Sequence, residues 1–403
     1  MTASADRRST ARDIRLSSRS RLASTYLGRC IAFNLPTSHD QARMPQRGLV
    51  PRATPLPLPR RPSPAPLGAL EVAMRPAAPP VPLVDFLAAT ATTALVVLHR
   101  GYVAWEHRLN DGAPERLQRC FSVTKSVASA LLGLAVGAGC IDSVQAPIGR
   151  WLPELRDPGV AALTLEHLLQ MRSGIRFCEG MLPWRDEPRT YYAIDLRKRL
   201  PGCRIGDPVG SLFHYNDWHL LLLSLLLERA TGQSVTSWLQ QRLWDPLGME
   251  HAGSLMVDRH DGDGLEHLES GLTASALDLA RFGQLYLQDD VWKGRRVLPE
   301  GWVEATTAPE GARSDAPWFA YYRRRPWGRF LASGRIYYKD MWWGCRIDER
   351  RHDYFAMGVL GQHVYVSPDT DTVIVRLSDR FPPGVWWPPL FRRIAQAVAA
   401  SDG

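Results

Sequence analysis

A serine and a lysine three positions apart carry the clearest chemical signal in this chain. Ser122 and Lys125 open the run Ser-Val-Thr-Lys-Ser-Val-Ala-Ser-Ala-Leu-Leu, in which Lys125 is the only charged residue. The chain has only four lysines, so a lysine kept within an apolar helix points to its tunable pKa, which arginine lacks. On a helix the two side chains share one face. The free N–H groups and the positive dipole of the helix N-terminus stabilise a serine alkoxide, and they also stabilise the oxyanion that forms when the alkoxide attacks a carbonyl. We therefore predict a nucleophilic Ser122 activated by Lys125; the alternative is an N-cap serine followed by a lysine that snorkels to solvent.

A tyrosine stands directly before a second apolar helix. Tyr215 lies in Phe213-His-Tyr-Asn-Asp217, and the helix is expected to begin at Trp218. A phenol has a pKa of about 10, and that pKa should fall beside an ammonium group because the phenolate gains a counter-charge. Tyr215 is therefore predicted to act first as a general base and then as the acid for the leaving group. Without the serine and the lysine, the same residue would be interpreted as a half-buried core tyrosine.

Two glycines interrupt a strand near the C-terminus. Gly358 and Gly361 lie in Phe355-Ala-Met-Gly-Val-Leu-Gly-Gln362, and a glycine within a strand marks a place where the backbone approaches something closely. The edge of this strand can supply a second oxyanion N–H beside that of Ser122. The alternative is a strand relieved by glycine and packed under a helix.

The elements that must position these residues follow the order strands, helices, strands. A β-hairpin is predicted from 94–99 and 102–107. Helices are predicted over Ser122–Gly139, Leu163–Met171, Trp218–Ala230, Ser234–Leu243, Ser275–Leu287 and about Pro389–Ala400. Closing strands are predicted over Tyr337–Ile347, Tyr354–Leu360, His363–Val366 and Thr372–Leu377. This order predicts an α+β fold, an antiparallel sheet flanked by helices with an inserted, mostly helical subdomain.

The first 80 residues differ in composition from the rest. Eleven of the 31 prolines fall between Pro51 and Pro82, and such runs favour extended conformations over packing. Before residue 81 there are 13 arginines and no lysine against four acids, a formal charge of +9 that exceeds the +8 of the whole chain. We therefore predict a disordered Arg/Pro-rich extension over residues 1–80 and one catalytic domain over residues 81–403. The folded part should carry no large basic field and bind no nucleic acid.

Several other classes are disfavoured. No stretch reaches the roughly 18–20 apolar residues of a membrane span, and no signal-peptide pattern is present, so a cytoplasmic protein without a membrane span is expected. The six cysteines lack redox or zinc spacing, which favours a reducing compartment and no metal or cofactor. The acidic and histidine-bearing segment 258–267 lacks an EF-hand glutamate and is interpreted as a solvated loop. His363, in a closing strand, is interpreted as structural.

The motifs together resemble a known superfamily. Ser122-Val-Thr-Lys125, the tyrosine before a helix and the closing glycine-rich strand resemble, in order and spacing, the β-lactamase and penicillin-binding-protein superfamily. The likeness covers about residues 85–400 and looks closest to the class C-like branch, which also contains esterases, D-aminopeptidases and 6-aminohexanoate-dimer hydrolases. It implies that Ser122 is acylated, that Lys125 and Tyr215 activate it, and that the N–H groups of Ser122 and Val359 form the oxyanion hole. Gly358, Gly361, Gln362 and Asp217 are then supporting residues.

Two departures from the superfamily pattern bear on the substrate. Asp217 stands where relatives usually carry asparagine, and an ionised carboxylate there would hold Lys125 charged and shift the work of the base to Tyr215. Met357-Gly358-Val359 replaces the usual Lys-Thr-Gly, so the cation that helps to bind a β-lactam carboxylate is missing. A small ester or amide is therefore the expected substrate, ahead of a β-lactam. The alternative function is a catalytically silent relative that binds peptide or cell-wall fragments.

Overall fold

The computed structural model describes residues 24–33, 36–38, 40–54, 56–73, 78–109, 113–322, 325–380 and 385–401. Within them the strands are β1 (Gln46–Leu49), β2 (Glu71–Ala73), β3 (Pro80–Pro82), β4 (Thr92–His99), β5 (Tyr102–Arg108), β6 (Gln118–Arg119), β7 (Gly253–Met256), β8 (Leu272–Ala274), β9 (Val291–Trp292), β10 (Arg295–Arg296), β11 (Ile336–Lys339), β12 (Trp342–Arg346), β13 (His352–Gly358), β14 (Gln362–Ser367) and β15 (Thr372–Ser378). The helices are α1 (Tyr26–Phe33), α2 (Leu83–Ala89), α3 (Val123–Gly137), α4 (Pro158–Ala161), α5 (Leu165–Leu169), α6 (Asp186–Tyr191), α7 (Leu196–Arg199), α8 (Asp217–Thr231), α9 (Val235–Leu239), α10 (Asp245–Leu247), α11 (Ala276–Leu287), α12 (Trp302–Thr307) and α13 (Pro388–Ser401).

A seven-stranded antiparallel sheet joins the two ends of the chain. Its order is β11-β12-β13-β14-β15-β4-β5, so the predicted N-terminal hairpin pairs directly with the last strand. Every residue of β4 and β15 is buried, because helices cover both faces and the strands read as continuous apolar runs. α11 packs on β15, β14 and β4. The predicted α+β architecture is confirmed.

The inserted helices carry the chemistry. α3 is buried over most of its length, as expected for a helix that is apolar nearly all round. α3 packs on α8 and on β13. α8 begins at the cap residue Asn216 and ends where Gly232 takes a left-handed φ of 70°, a conformation that glycine adopts at helix ends. The packing of α3 on α8 brings the first turn of each helix to the same place.

Two closing elements differ from their predictions. The segment predicted as one strand over Tyr337–Ile347 is the hairpin of β11 and β12, because Asp340 and Met341 both take positive φ and turn the chain. The strand predicted to reach Leu360 ends at Gly358, because Leu360 also takes a left-handed φ of 68°. Neither turn carries the asparagine–glycine pattern that marks such positions in a sequence.

The N-terminal segment is part of the fold where the structure describes it. β1 pairs with β7 at the edge of a four-stranded sheet of order β1-β7-β8-β6. Arg29, from α1, is buried and donates to the carbonyl oxygens of Ala193 and Asp258 at 2.5 and 2.8 Å. The prediction that residues 1–80 stay outside the fold was therefore wrong for this part, because the arginines and apolar residues of the segment have partners in the body of the protein. Residues 1–23 lie outside the described residues.

Among the helices that the structure describes, none combines the length and the apolar character needed to cross a membrane.

Candidate active site

Lys125 lies at the centre of a buried polar cluster in the first turn of α3. Its Nζ donates to Ser122 Oγ at 2.9 Å and to the carbonyl oxygen of Glu269 at 2.8 Å, and it lies 2.8 Å from Asp217 Oδ1. An ammonium group has three N–H donors; two of them bind the oxygens of Ser122 and Glu269, and the contact with Asp217 is an ion pair. The lysine side chain is 2% exposed, so it does not snorkel to solvent. Ser122 itself is only half-buried and remains accessible from outside.

Tyr215 covers another side of the ammonium group. Lys125 Nζ lies 4.7 Å from the centre of the phenol ring. The ring also stacks on Trp343, with centroids 6.1 Å apart, and the backbone N–H of Tyr215 donates to Tyr322 Oη at 2.7 Å. The next residue, Asn216, caps α8 by accepting a hydrogen bond from Trp218 N at 3.0 Å. The cap and the aromatic packing together hold the phenol beside the lysine.

The charges of the cluster depend on the balance between burial and pairing. Burial acts to lower the pKa of Lys125, but Asp217, followed by Tyr215 and Glu269, outweighs it and raises that pKa above 10.5. Burial raises the pKa of the Asp217 carboxyl against the opposing attraction of Lys125. The expectation for Tyr215 was wrong: burial raises its pKa, with Asp217 adding to the effect, although Lys125 acts to lower it. At neutral pH the cluster therefore contains a charged lysine and a neutral phenol.

The turn that precedes the nucleophile has an unusual backbone. Phe121 takes a φ of 48°, which is rare for a bulky residue and concentrates at functional sites. Two hydrogen bonds hold this turn against β8: Cys120 N donates to Leu272 O at 2.8 Å, and Leu272 N donates to Thr124 Oγ1 at 3.0 Å. The backbone of Ser122 is thereby fixed to a sheet rather than to a free loop.

The end of β13 lies directly against the nucleophile. A Cβ added at Gly358 would stand 2.4 Å from the carbonyl oxygen of Cys120 and 3.1 Å from Ser122 N, so glycine is required for this approach. Val359, the next residue, is 38% exposed, and the chain then turns through Leu360. The strand edge that was predicted to supply an oxyanion N–H is thus adjacent to the N–H of Ser122.

The other two predicted supporting residues bind neighbouring parts of the sheet. The side-chain amide of Gln362 is fully buried: its Nε2 donates to Ser378 O at 2.9 Å and its Oε1 accepts from Ser378 N at 2.9 Å. The carbonyl oxygen of Gly361 accepts from Arg376 Nη1 at 2.6 Å and lies 2.9 Å from His363 Nδ1. These contacts fix the turn after β13. They also account for His363 as a structural residue, as predicted.

The segment predicted to be a solvated loop is partly buried. Asp258, Glu266 and His267 are each at most 1% exposed. Glu266 Oε1 accepts from Arg47 Nη1 at 2.7 Å, and His267 Nδ1 lies 2.7 Å from Glu269 Oε1. Over the described part of the chain, no group of histidine, cysteine and acidic side chains is arranged to hold a metal ion. The segment instead supports the backbone of Glu269, whose carbonyl oxygen binds Lys125.

Sequence reasoning missed several contributors to the cluster. Glu269 acts through its carbonyl oxygen, which every residue possesses, so its identity gave no signal. Tyr322 and Trp343 reach Tyr215 from segments more than 100 residues away in the chain.

Comparison with known proteins decides the family. The sequence model of the family described as Beta-lactamase matches residues 84–399 of the chain. The chain belongs to the β-lactamase family. Within this family it is a serine hydrolase, because one relative by sequence is named a hydrolase and another an esterase.

The relatives of this β-lactamase-family chain differ in how much of it they match. The 6-aminohexanoate-dimer hydrolase of Paenarthrobacter ureafaciens is 28% identical over 304 residues, which cover 72% of this chain and 73% of the relative. Esterase EstB of Burkholderia gladioli is 31% identical over 175 residues, which cover 38% of this chain and 44% of the esterase.

Solved structures show the same fold. A Bacillus anthracis protein provisionally named 6-aminohexanoate-dimer hydrolase is 21% identical, has a TM-score of 0.75, and is matched over 90% of this chain and 92% of its own. A penicillin-binding protein of Bacillus halodurans is 17% identical, with a TM-score of 0.56 over 79% of this chain and 98% of its own. At these identities the likeness bears on the fold alone.

Proposed function

We propose that the protein hydrolyses esters or amides of small molecules through an acyl-enzyme on Ser122, without a cofactor. The observation that carries the proposal is the buried Lys125 ammonium, which contacts Ser122 Oγ, Asp217 Oδ1 and the ring of Tyr215 at once. A buried cation between a hydroxyl and a phenol is a way to activate a serine at neutral pH. The names of the relatives, an esterase and a dimer hydrolase, support this class of substrate.

Proton transfer in this cluster needs a relay, because Lys125 already carries its full set of protons. As Ser122 Oγ attacks the substrate carbonyl, its proton passes to Lys125 Nζ while Lys125 gives one to Asp217 Oδ1, 2.8 Å away. The N–H groups of Ser122 and Val359 receive the oxyanion. Tyr215, a neutral acid, donates its proton to the leaving group and recovers one from Lys125, and Lys125 takes back the proton held by Asp217. Water then reverses these steps to release the acid.

The acyl-enzyme is tested with a fluorophosphonate probe and with the burst phase of a p-nitrophenyl ester. Wild type and the control Ser333→Ala, which alters an exposed serine, should be labelled and show a burst. Ser122→Ala should do neither. Equal labelling of Ser122→Ala and wild type would place the reactive group elsewhere and refute the proposal.

The same geometry ranks the substrates. β13 ends with Met357 and Gly358 and is followed by Val359, so no lysine stands on the closing strand beside Ser122 to bind a β-lactam carboxylate. Short-chain p-nitrophenyl esters should therefore be turned over faster than a chromogenic cephalosporin. The reverse order of rates would overturn this ranking.

A catalytically silent relative that binds peptide or cell-wall fragments is the second candidate. It is favoured by the ion pair of Asp217 with Lys125, which holds the lysine charged. Turnover of any short ester that is lost in Lys125→Ala would exclude it, and a wild type without turnover but with bound peptide would establish it.

A further inference from the structure

A cavity rich in arginine lies at the start of α8. It has a volume of about 490 Å³, and the described residues of its wall include Arg176, Arg189, Arg199 and Arg204 together with the acidic Asp186. Pockets that bind small molecules fall within roughly 300–1,000 Å³. Four guanidinium groups against one carboxylate give this cavity a strongly positive field, although the domain outside the N-terminal segment has almost no net charge.

Two of the arginines have no close partner of opposite charge. Among the described residues, the guanidinium groups of Arg176 and Arg204 form no hydrogen bond or ion pair, and Arg204 has only a longer-range attraction to Asp157. Arg199 lies over the ring of Tyr26, 5.1 Å from its centre. Most of the arginines whose side chains the structure describes do have a carboxylate or carbonyl partner, so the unpaired groups of this cavity are free to receive an anion.

Two residues in the wall of the cavity are next in sequence to residues of the candidate active site or its support. Trp218, in its wall, directly follows Asp217, and consecutive Cα atoms are only about 3.8 Å apart. Cys178, also in the wall, directly precedes Glu179, which hydrogen-bonds with Tyr322, the residue that binds the backbone of Tyr215. Trp184, 64% exposed, adds apolar surface to the wall of the cavity. The wall of the cavity and the candidate active site are thus built from adjacent residues, and Glu179 also lies within electrostatic range of Asp217.

We propose that the arginine-lined cavity binds a carboxylate at the far end of the substrate, so that the preferred substrates are esters or amides of a molecule with a second, anionic end. Arginine suits this role because its planar guanidinium can bind a carboxylate through two parallel hydrogen bonds. The inference rests on the proposed hydrolysis at Ser122. It assigns selectivity for a charged substrate to residues outside the Ser122–Lys125–Tyr215 cluster.

The test compares pairs of esters that match in length and differ in charge. The mono-p-nitrophenyl esters of glutarate, adipate and suberate are each measured against the p-nitrophenyl ester of the unbranched monocarboxylic acid with the same number of carbons. A second pair, 4-carboxyphenyl butyrate and phenyl butyrate, places the charge on the leaving group. The readout is the ratio of kcat/KM for the charged ester to that for the neutral ester.

Wild type should prefer the charged member of at least one pair. Arg176→Ala and Arg204→Ala should each lower that ratio by about tenfold, the loss expected for one charge-assisted hydrogen bond. Arg176→Lys should restore part of the ratio, because lysine keeps the charge but not the paired geometry. Arg295→Ala, at an exposed arginine on β10, is the matched control and should leave the ratio unchanged.

The two proposals fail in different ways. If wild type hydrolyses neutral esters in a Ser122-dependent manner but shows no charge preference in any pair, or if Arg176→Ala and Arg295→Ala change the ratio equally, the cavity assignment is wrong and the hydrolase stands. If no ester is turned over and Ser122 is not acylated, the proposed function itself has failed. Protection of the wild type, but not of Arg176→Ala, against thermal unfolding by adipate alone would support the cavity in that case as well.

Discussion

Replacement of Asp217 by asparagine tests the relay directly. Asparagine has nearly the shape of aspartate but no charge and no basic oxygen to accept the proton from Lys125. The variant must therefore use Lys125 as a base in its own right, and only its uncharged form can serve. Wild type needs the charged lysine and the ionised carboxylate, so it should be active over a broad range around neutral pH.

The size of the effect follows from the geometry of the pair. Two unit charges 2.8 Å apart interact by about 1.5 kcal/mol even with the screening of bulk water, which corresponds to about one pKa unit. The Lys125 side chain is 2% exposed and that of Asp217 is 23% exposed, so water screens the pair less than it would in bulk. The pKa of Lys125 is therefore expected to fall by about one to three units in Asp217→Asn. Burial is then opposed only by the weaker effects of Tyr215 and Glu269, so the pKa of Lys125 should fall.

The assay is the pH dependence of kcat/KM for a short p-nitrophenyl ester between about pH 5 and pH 9, where most proteins remain folded. In Asp217→Asn, log kcat/KM should rise with a slope of about one up to the new pKa of Lys125, while wild type stays flat over the same range. Two units below that pKa the variant should be about 100-fold slower, and above it the two enzymes should converge.

Lys125→Arg is the matched control, because it keeps the ion pair but cannot pass a proton on. It should be slower at every pH by roughly 100-fold or more. The reasoning fails if Asp217→Asn is faster than wild type at neutral pH, since Asp217 would then only hinder Lys125. An equal loss at all pH values would indicate a merely structural role for Asp217.

Three further substitutions test how the site is supported. Gly358→Ala should lower kcat/KM by at least about tenfold and destabilise the fold by about 1–3 kcal/mol, because the new Cβ would stand 2.4 Å from the Cys120 carbonyl oxygen. Ester kinetics measure the first effect and chemical unfolding the second. An unchanged kcat/KM would contradict the close approach of Gly358 to Cys120. Met44→Ala should lower the free energy of unfolding by about 2–5 kcal/mol, because Met44 is buried with Phe121 and Leu360 in one cluster. A change under about 0.5 kcal/mol in chemical unfolding would mean that the N-terminal segment around Met44 is not packed there. Asp369→Asn should lower the free energy of unfolding by about 1 kcal/mol at pH 7, because the hydrogen bond from Arg392 lowers the pKa of Asp369. That stability is present above the pKa of an unfolded aspartate, about 3.9, and is lost as the pH falls through the lower folded pKa; a deficit that persists at still lower pH would exclude this cause.

Local patterns in the sequence predicted the elements of the fold and the residues that meet at its centre. The Ser-x-x-Lys spacing, the tyrosine before an apolar helix and the glycines near the end of a strand each reflect a local constraint, and the structure brings Ser122, Lys125, Tyr215 and Gly358 together. The catalytic roles of these residues stay predictions. Asp217 was noticed because it departs from a familiar pattern, and it does pair with Lys125.

What could not be predicted depends on contacts between distant parts of the chain. The pKa of Tyr215 was expected to fall because only the neighbouring lysine was considered, whereas burial by Trp343 and other distant residues prevails. The left-handed backbone of Phe121 leaves no trace in a residue type that normally avoids it. The N-terminal segment resembles a disordered tail in composition, yet Arg47 pairs with a buried glutamate more than 200 residues away.

The pairing of β1 with β7 has a consequence for how the molecule is assembled. Residues 46–49 leave the ribosome long before residues 253–256 exist, so this strand stays unpaired while most of the chain is made. Contacts across so long a separation form slowly, because a large loop must close first. Until β1 has paired, the edge of β7 presents unpaired backbone N–H and C=O groups. These groups can bind β1 of the same chain or β1 of a neighbouring molecule. At high concentration, refolding should therefore yield some dimers that have exchanged their N-terminal arms.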